Sequence, residues 1–385
     1  DVIVELFDGA TGRIKPGQPL AIALRPLSLY PSGTAVPLAL RHIFSVVRIS
    51  RPGLHRVSDP VDHPRIRTRE SVKSMQAGEN RRVAITGATG LIGSVLLPQL
   101  IERGYELTAL VRNPQRDRAK IPAAVSLVEW KATATEGPWC DAVAEADIVI
   151  NLAGAPVAQR WNEPAKMAIV ESRVDGTEGI VAAMNGGPTR SGRVLINASG
   201  VGFYGAYAFA PSDEETDSGN DFIAEVCAAW EEATKRADRS IRVVLLRTGI
   251  VLSPEGGALV ELLTPFRLGF GGPIAGGRQP FPWVHLDDEI GAILHLIDND
   301  EATGPYNVVA PQQTTNRTFA RTLGSVLRRP SFLPIPAFVI RLIIGDAAVT
   351  VVGGQNAVPS RTLASGYRFA FPDLEGALKD LLEKK

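Results

Sequence analysis

From residue 83 onward, apolar and polar positions follow two alternating patterns. Short runs of apolar and β-branched residues lie at 83–86, 107–111, 126–130, 147–152, 194–198 and 242–246. Between them, at 91–103, 139–145, 170–184 and 222–236, apolar residues recur three and four apart. Apolar strands separated by amphipathic helices predict a parallel sheet covered on both faces, a doubly wound α/β fold of six or seven strands.

The first 74 residues break this pattern. No Asp or Glu occurs between Gly9 and Ser58, while seven basic residues do, and prolines at 16, 19, 26, 31, 37 and 52 interrupt any helix. Two apolar runs, 21–24 and 43–47, are the weak strand candidates here. Residues 1–74 carry a net charge of +5, leaving −5 for the remainder of a neutral chain. Such a segment is expected to be a linker or appendage, or an organelle leader. The functional unit is expected to begin near Met75, the first methionine.

Composition narrows the function classes. With 45% hydrophobic and 21% charged residues, the chain has the composition of a globular protein with a full core. Forty-one basic residues balance forty-one acidic ones, so nothing points to a nucleic-acid partner or an anionic membrane. Two cysteines, Cys140 and Cys227, make no disulfide framework, and five scattered histidines suggest no metal. No apolar run is long enough to span a bilayer. The nearest, 338–352, is broken by Arg341 and Asp346 and is expected to be a buried helix. A bacterial cytoplasm and an organelle stroma both fit this composition.

The first strand runs into Gly87, Gly90 and Gly93, with Ala88, Thr89, Leu91 and Ile92 between them. The spacing suits an NAD(P)-binding Rossmann fold. Gly87 allows the sharp turn, Gly90 allows backbone to approach a pyrophosphate, and Gly93 allows close helix–strand packing. The helix N-terminus then offers Thr89, Leu91 and Ile92 to the phosphates. The second strand ends at Arg112 with no acid beside it, which favours a ribose 2′-phosphate and hence NADP(H). The fourth strand ends in Asn151, Leu152, Ala153 and Gly154, small residues that let a cofactor lie on the sheet edge.

These motifs, with Ser199 ahead of Phe203-Tyr204-Gly205 and the stretch Trp283-Val284-His285-Leu286-Asp287-Asp288, resemble the extended short-chain dehydrogenase/reductases. Arg173-Val174-Asp175-Gly176-Thr177, the 221–227 and 245–252 segments and Gly276-Gly277-Arg278-Gln279 are similar to one atypical branch. That branch is the "epimerase family protein", nucleoside-diphosphate-sugar epimerase-like or putative cell-division inhibitor group. The chain from Leu333 to Leu382 resembles the C-terminal domain of unknown function that ends its members. The resemblance covers about residues 82–382. It implies a Rossmann domain at 75–253, a smaller substrate lobe at 254–332 interleaved with it, and the C-terminal family domain at 333–385. It also implies that Thr248 lies near the nicotinamide. Lys131 follows the third strand where relatives often have Asp or Asn beside the adenine.

The resemblance also exposes a gap. Conventional members place Tyr-x-x-x-Lys on one helix, so that the ammonium lowers the phenol pKa. None of the six tyrosines here has Lys four residues on, and the helix expected at 222–236 has no Tyr. By position, Ser199 and Tyr204 are the candidate catalytic residues. Glu225 is a candidate acid if its helix face is buried, Cys227 reads as a buried small residue, and His285 reads as a structural hydrogen-bonding group. The glycine-rich stretch 256–278 is expected to be a mobile loop over the site. Two functions fit. One is an NADP(H)-dependent oxidoreductase or epimerase-like enzyme with a small-molecule substrate and a non-conventional proton donor. The other is an NADP(H)-binding regulator or scaffold without turnover.

Overall fold

The computed structural model describes residues 2–5, 23–26 and 81–383. The chain forms two compact units, residues 1–65 and 66–385. In the first, β1 (Val2–Glu5) pairs antiparallel with β2 (Ala23–Pro26). The second strand thus starts two residues later than the apolar run suggests. The candidate strand at 43–47 and the start expected near Met75 lie outside the described residues.

The second unit is built on a seven-stranded sheet. Its strands are β3 (Arg82–Thr86), β4 (Glu106–Val111), β5 (Ser126–Glu129), β6 (Ile148–Asn151), β7 (Arg193–Gly200), β8 (Ile241–Thr248) and β11 (Gly304–Val308). The order across the sheet is β11-β8-β7-β6-β3-β4-β5, and every pairing is parallel. The strand order reverses between β3 and β6, which opens a crevice at their C-terminal ends. A second, two-stranded parallel sheet pairs β9 (Ile250–Leu252) with β10 (Trp283–His285).

Helices cover both faces because both faces of these strands are apolar. On one side α1 (Leu91–Glu102) packs with Val83, Ile85, Ile148 and Val244. On the other, α2 (Pro138–Ala144) and α3 (Glu163–Asn185) cover Ala84, Leu110, Val149 and Leu195 around Trp130 and Trp139. Helix α3 begins seven residues before the periodic apolar stretch. Asn162 caps it by accepting from Ala165 N at 2.8 Å, with Pro164 in its first turn. Helix α4 (Phe222–Thr234) follows, capped by Asp221.

The remaining elements form a lobe inserted between β8 and β11 and extended after β11. They are α5 (Gly257–Arg267), α6 (Leu286–Asp298), α7 (Asn316–Val326), α8 (Ala337–Ile344) and α9 (Leu374–Glu383). Helix α6 lies under the main sheet, with Ile290, Ile293 and Ile297 in its core. Helices α5, α7 and α9 enclose a second core in which Phe281 stacks on Phe319 at 4.2 Å. Thus the 254–332 segment is shared, since β11 and α6 within it belong to the main sheet. Two expectations are corrected. Half of the stretch expected to be a mobile loop, 256–278, is helix α5, whose apolar face (Leu259, Leu263, Phe266) outweighs Pro265 near its end. The 338–352 run is no buried helix either: α8 buries none of its residues and exposes Phe338 and Leu342 by more than two thirds. Among the described residues, no helix is long and apolar enough to cross a membrane.

Buried Asp288, at the start of α6, ties the lobe's last segment to the sheet. Its carboxylate accepts from Tyr367 Oη at 3.1 Å, Ala370 N at 2.7 Å and Phe371 N at 2.9 Å. Alanine at position 288 would strand the N–H groups of Ala370 and Phe371, while Tyr367 Oη keeps the Asp288 backbone carbonyl at 3.0 Å, and each orphaned donor costs about 1–3 kcal/mol. Asp288→Ala is therefore expected to lower unfolding stability by roughly 3 kcal/mol or more, and Asp288→Asn by less. Urea unfolding at constant m measures both.

Candidate active site

The first strand turns at Gly87, whose φ of +69° falls in the region that favours glycine. A Cβ at Gly87 would sit 2.8 Å from the carbonyl of Leu152, and one at Gly93 would collide with Gly87 O. Gly90 N donates to Gly87 O at 2.9 Å, and helix α1 starts at Leu91 with no side-chain cap. The first N–H groups of α1 thus face outward unpaired, with Thr89 and Gly90 exposed at the tip of the turn. This cradle fits a pyrophosphate. Arg112 stands exposed at the end of β4, with neither an ion pair nor a hydrogen bond to its guanidinium among the described residues. Next to it Asn113 caps the short helix Pro114–Asp117, and Arg116 is paired with Asp117 at 2.8 Å.

Asn151 lies one layer deeper. Its side chain accepts from Thr86 Oγ1 at 2.7 Å and donates to Thr177 Oγ1 at 2.9 Å and Asn197 Oδ1 at 2.7 Å. Thr86 Oγ1 in turn accepts from the N–H groups of Leu152 and Ala153, both at 3.1 Å. With its amide committed inside the core, Asn151 braces the loop that carries Leu152, Ala153 and Gly154. Gly154 makes room for Arg173, since a Cβ there would sit 2.9 Å from its guanidinium carbon.

A cavity of about 440 Å³ opens beyond these loops. Ile92 and Leu152 wall it on the cradle side; Ser199, Thr248 and Arg173 wall it on the other, with Cys227 and Trp230 from α4. The sequence candidates Ile92, Leu152, Ser199 and Thr248 are thereby brought together around one space.

Tyr204, Glu225 and His285 are not. Tyr204 is buried outside the cavity lining. Its hydroxyl donates to Asn307 Oδ1 at 2.7 Å and accepts from Arg247 Nη1 at 3.1 Å, and burial raises its pKa. Glu225 is exposed, so the burial needed to make it an acid is absent. His285 also lies outside the lining. Its Nδ1 accepts from Asp287 N at 3.0 Å as the cap of α6, and its ring stacks on Phe371 at 3.8 Å.

Ser199 Oγ donates to Glu231 Oε1 at 2.7 Å. Both carboxylate oxygens of Glu231 are held by Arg247 at 2.9 Å, a buried two-pronged ion pair at the end of β8. The Ser199 proton is thus committed to a carboxylate. Cys227 has its thiol pKa pushed up to about 12 by burial, which leaves it inert.

Thr248 has a different partner. Its Oγ1 lies 2.9 Å from Glu289 Oε1, and Glu289 is fully buried with Oε2 unpartnered. Burial pushes the Glu289 pKa up to about 8, against a smaller lowering from Thr248. Glu289 carries no motif in the sequence, and Arg173 stands in a family motif that assigns it no site role. Both sit within apolar stripes: Leu286, Glu289, Ile290, Ile293 and Ile297 on α6, and Ile169, Arg173, Thr177, Ile180 and Met184 on α3. A charged residue in phase with a buried stripe is the signal that could have found them.

Comparison with known proteins agrees with this architecture. The model of the NAD dependent epimerase/dehydratase family matches residues 83–309, and that of a domain of unknown function, DUF1731, matches residues 335–381. The epimerase family protein SDR39U1 of Bos taurus is 38% identical over 78% of this chain and 99% of its own length. A chloroplastic homologue from Arabidopsis thaliana is 34% identical over 80% of this chain and 89% of its own. The crystal structure of human SDR39U1 with NADPH superposes with a TM-score of 0.69 at 34% identity, covering 79% of this chain and 100% of that one. A nucleoside-diphosphate sugar epimerase from Corynebacterium glutamicum has a TM-score of 0.63 at 29% identity, with 81% of this chain and 62% of that one covered. Sheet order, glycine turn and sequence relatives agree: the chain belongs to the NAD-dependent epimerase/dehydratase family, among the epimerase family proteins of the atypical short-chain dehydrogenase/reductase group.

Proposed function

We propose that this chain is an NADP(H)-dependent oxidoreductase acting on a small carbonyl compound or its alcohol. The observation that carries the reading is the shared cavity. Ile92 and Leu152, beside the phosphate cradle, face the same space as Thr248 and Ser199. NADP(H) rather than NAD(H) is supported by the unpaired Arg112 and by the NADPH in the human relative's structure. When bound, NADPH supplies a hydride to the carbonyl carbon.

The chain must then supply a proton to the carbonyl oxygen, and Thr248 is the residue suited to do so. With Glu289 protonated, its carboxylic acid donates to Thr248 Oγ1 and leaves the threonine proton free to point into the cavity. With Glu289 ionised, Thr248 must donate into the wall instead. In the reducing direction the Thr248 proton passes to the carbonyl oxygen and the Glu289 proton passes to Thr248, which balances the hydride. The titratable group facing Glu289 is Tyr367, whose pKa is itself raised, chiefly by burial. Ser199, donating to Glu231, can accept a hydrogen bond from the product hydroxyl.

Three outcomes test this reading. NADPH is expected to bind at least tenfold tighter than NADH by calorimetry, and Arg112→Ala to erase the difference, which corresponds to about 1.4 kcal/mol. Oxidation of NADPH with a panel of aldehydes and ketones is expected to fall about a hundredfold in Thr248→Val while NADPH affinity holds. Binding of NADPH without turnover of any carbonyl would instead favour a regulator that binds the cofactor.

The third outcome concerns stability. A carboxyl whose folded pKa is raised lends stability below its unfolded pKa, and this is lost as pH rises from about 4.5 to about 8. At pH 7 the loss is on the order of 3 kcal/mol. Glu289→Gln removes the charge and keeps the shape. Its Tm is expected to match the parent near pH 5 and to exceed it increasingly toward pH 8.

A further inference from the structure

Arg173 is a cation on the cavity wall with no ion pair among the described residues. Arg173 projects from α3 with its guanidinium carbon 5.1 Å from the ring centroid of Trp230 and packed against Gly154. Its Nη1 donates to Ala155 O at 3.1 Å and Ile169 O at 3.2 Å. Those two carbonyls fix the plane of the guanidinium, while Nη2 and Nε have no protein acceptor among the described residues. Nor does Arg173 make an ion pair there, in contrast to Arg247, which is clamped by Glu231. Burial accordingly lowers its pKa, with only the Cys227 thiol acting the other way.

The other charged side chain on the cavity wall is Asp221, and its oxygens are taken. Oδ1 accepts from Ile223 N and Ala224 N, both at 3.1 Å, and Oδ2 accepts from Ala206 N at 2.6 Å. Keeping a guanidinium half-desolvated without a counter-ion is unfavourable unless a ligand supplies the charge. A planar fork with two unused nitrogens matches the two oxygens of a carboxylate. A single cation suits a monoanion better than the dianion of a phosphate. The cavity, about 440 Å³, has room for a nicotinamide ring and a small acid.

We propose that Arg173 anchors the substrate by a carboxylate, so that this site takes small carboxylate-bearing carbonyl compounds and the corresponding hydroxy acids. The proposal rests on the oxidoreductase reading and specifies its substrate class. Reduction of an oxo acid by the steps above gives a hydroxy acid, with the carboxylate unchanged and held by Nη2 and Nε. Arg173 is thereby the residue that sets specificity, while Thr248 delivers the proton.

Calorimetry on the full chain saturated with NADP⁺ tests this without requiring turnover. The probes are pyruvate, acetoacetate and levulinate, each beside its neutral amide. At least one acid is expected to bind tenfold or more tighter than its amide. Arg173→Met is expected to abolish that preference and Arg173→Lys to keep part of it, both with NADP⁺ affinity within about twofold of the parent. Equal binding of acid and amide, no binding of any acid, or a preference that survives Arg173→Met overturns the proposal. So does inorganic phosphate binding more tightly than every acid. If Arg173→Met instead weakens NADP⁺ tenfold and leaves the acid preference intact, Arg173 belongs to the cofactor. Failure of the parent chain to bind NADP⁺ at all would sink the oxidoreductase reading itself, before any acid is added.

Discussion

Four polar side chains beneath the strand ends hold the site together. Thr86 on β3, Asn151 on β6, Asn197 on β7 and Thr177 on α3 share hydrogen bonds of 2.7–2.9 Å through the Asn151 amide. Trp230 of α4 joins by donating to Thr177 Oγ1 at 2.9 Å. All five residues are buried, so each unmade bond would carry a full desolvation cost, and the geometry has little freedom. Because Thr86 also receives the N–H groups of Leu152 and Ala153, this network fixes the loop that Gly87 packs against. The phosphate cradle, the cavity wall at Leu152 and the seat of Arg173 against Gly154 all follow from it.

Above that network, charge is handled in two opposite ways. Arg247 and Glu231 neutralise each other in a closed pair that also takes up the Ser199 proton, and the result is a rigid wall. Among the described residues Glu289 and Arg173 make no ion pair, and each instead borders the cavity directly or through Thr248. Groups left uncompensated in this way are where ligand chemistry is concentrated, since a ligand can complete what the fold leaves open.

The fold was largely legible from periodicity. Six of the seven strands and four of the helices lie where the apolar runs put them, because strands covered on both faces are apolar throughout. The phosphate turn was legible too, since the φ of Gly87 favours glycine and the contacts at Gly87 and Gly93 leave no space for a Cβ. Legibility fell where tertiary context overrode local signals. Helix α5 forms despite Pro265 because its apolar face completes the second core, and α8 is apolar yet exposed. Within the site, Tyr204 stands out by its place in a motif, and the sequence alone does not reveal that Asn307 and Arg247 draw its hydroxyl away. Glu289 was hidden among three successive acids that look like an ordinary acidic first turn of α6.

The position of β11 also bears on how the chain is made. This strand completes the sheet edge beside β8, but it comes only after the chain has left through β9, α5, β10 and α6. On the ribosome, β8 emerges well before its partner, with the apolar stretch Val243, Val244, Leu245 and Leu246 along an open edge. Until residues 304–308 arrive, that edge is a template for any passing strand. Vectorial synthesis therefore includes an interval in which this edge is open to intermolecular pairing.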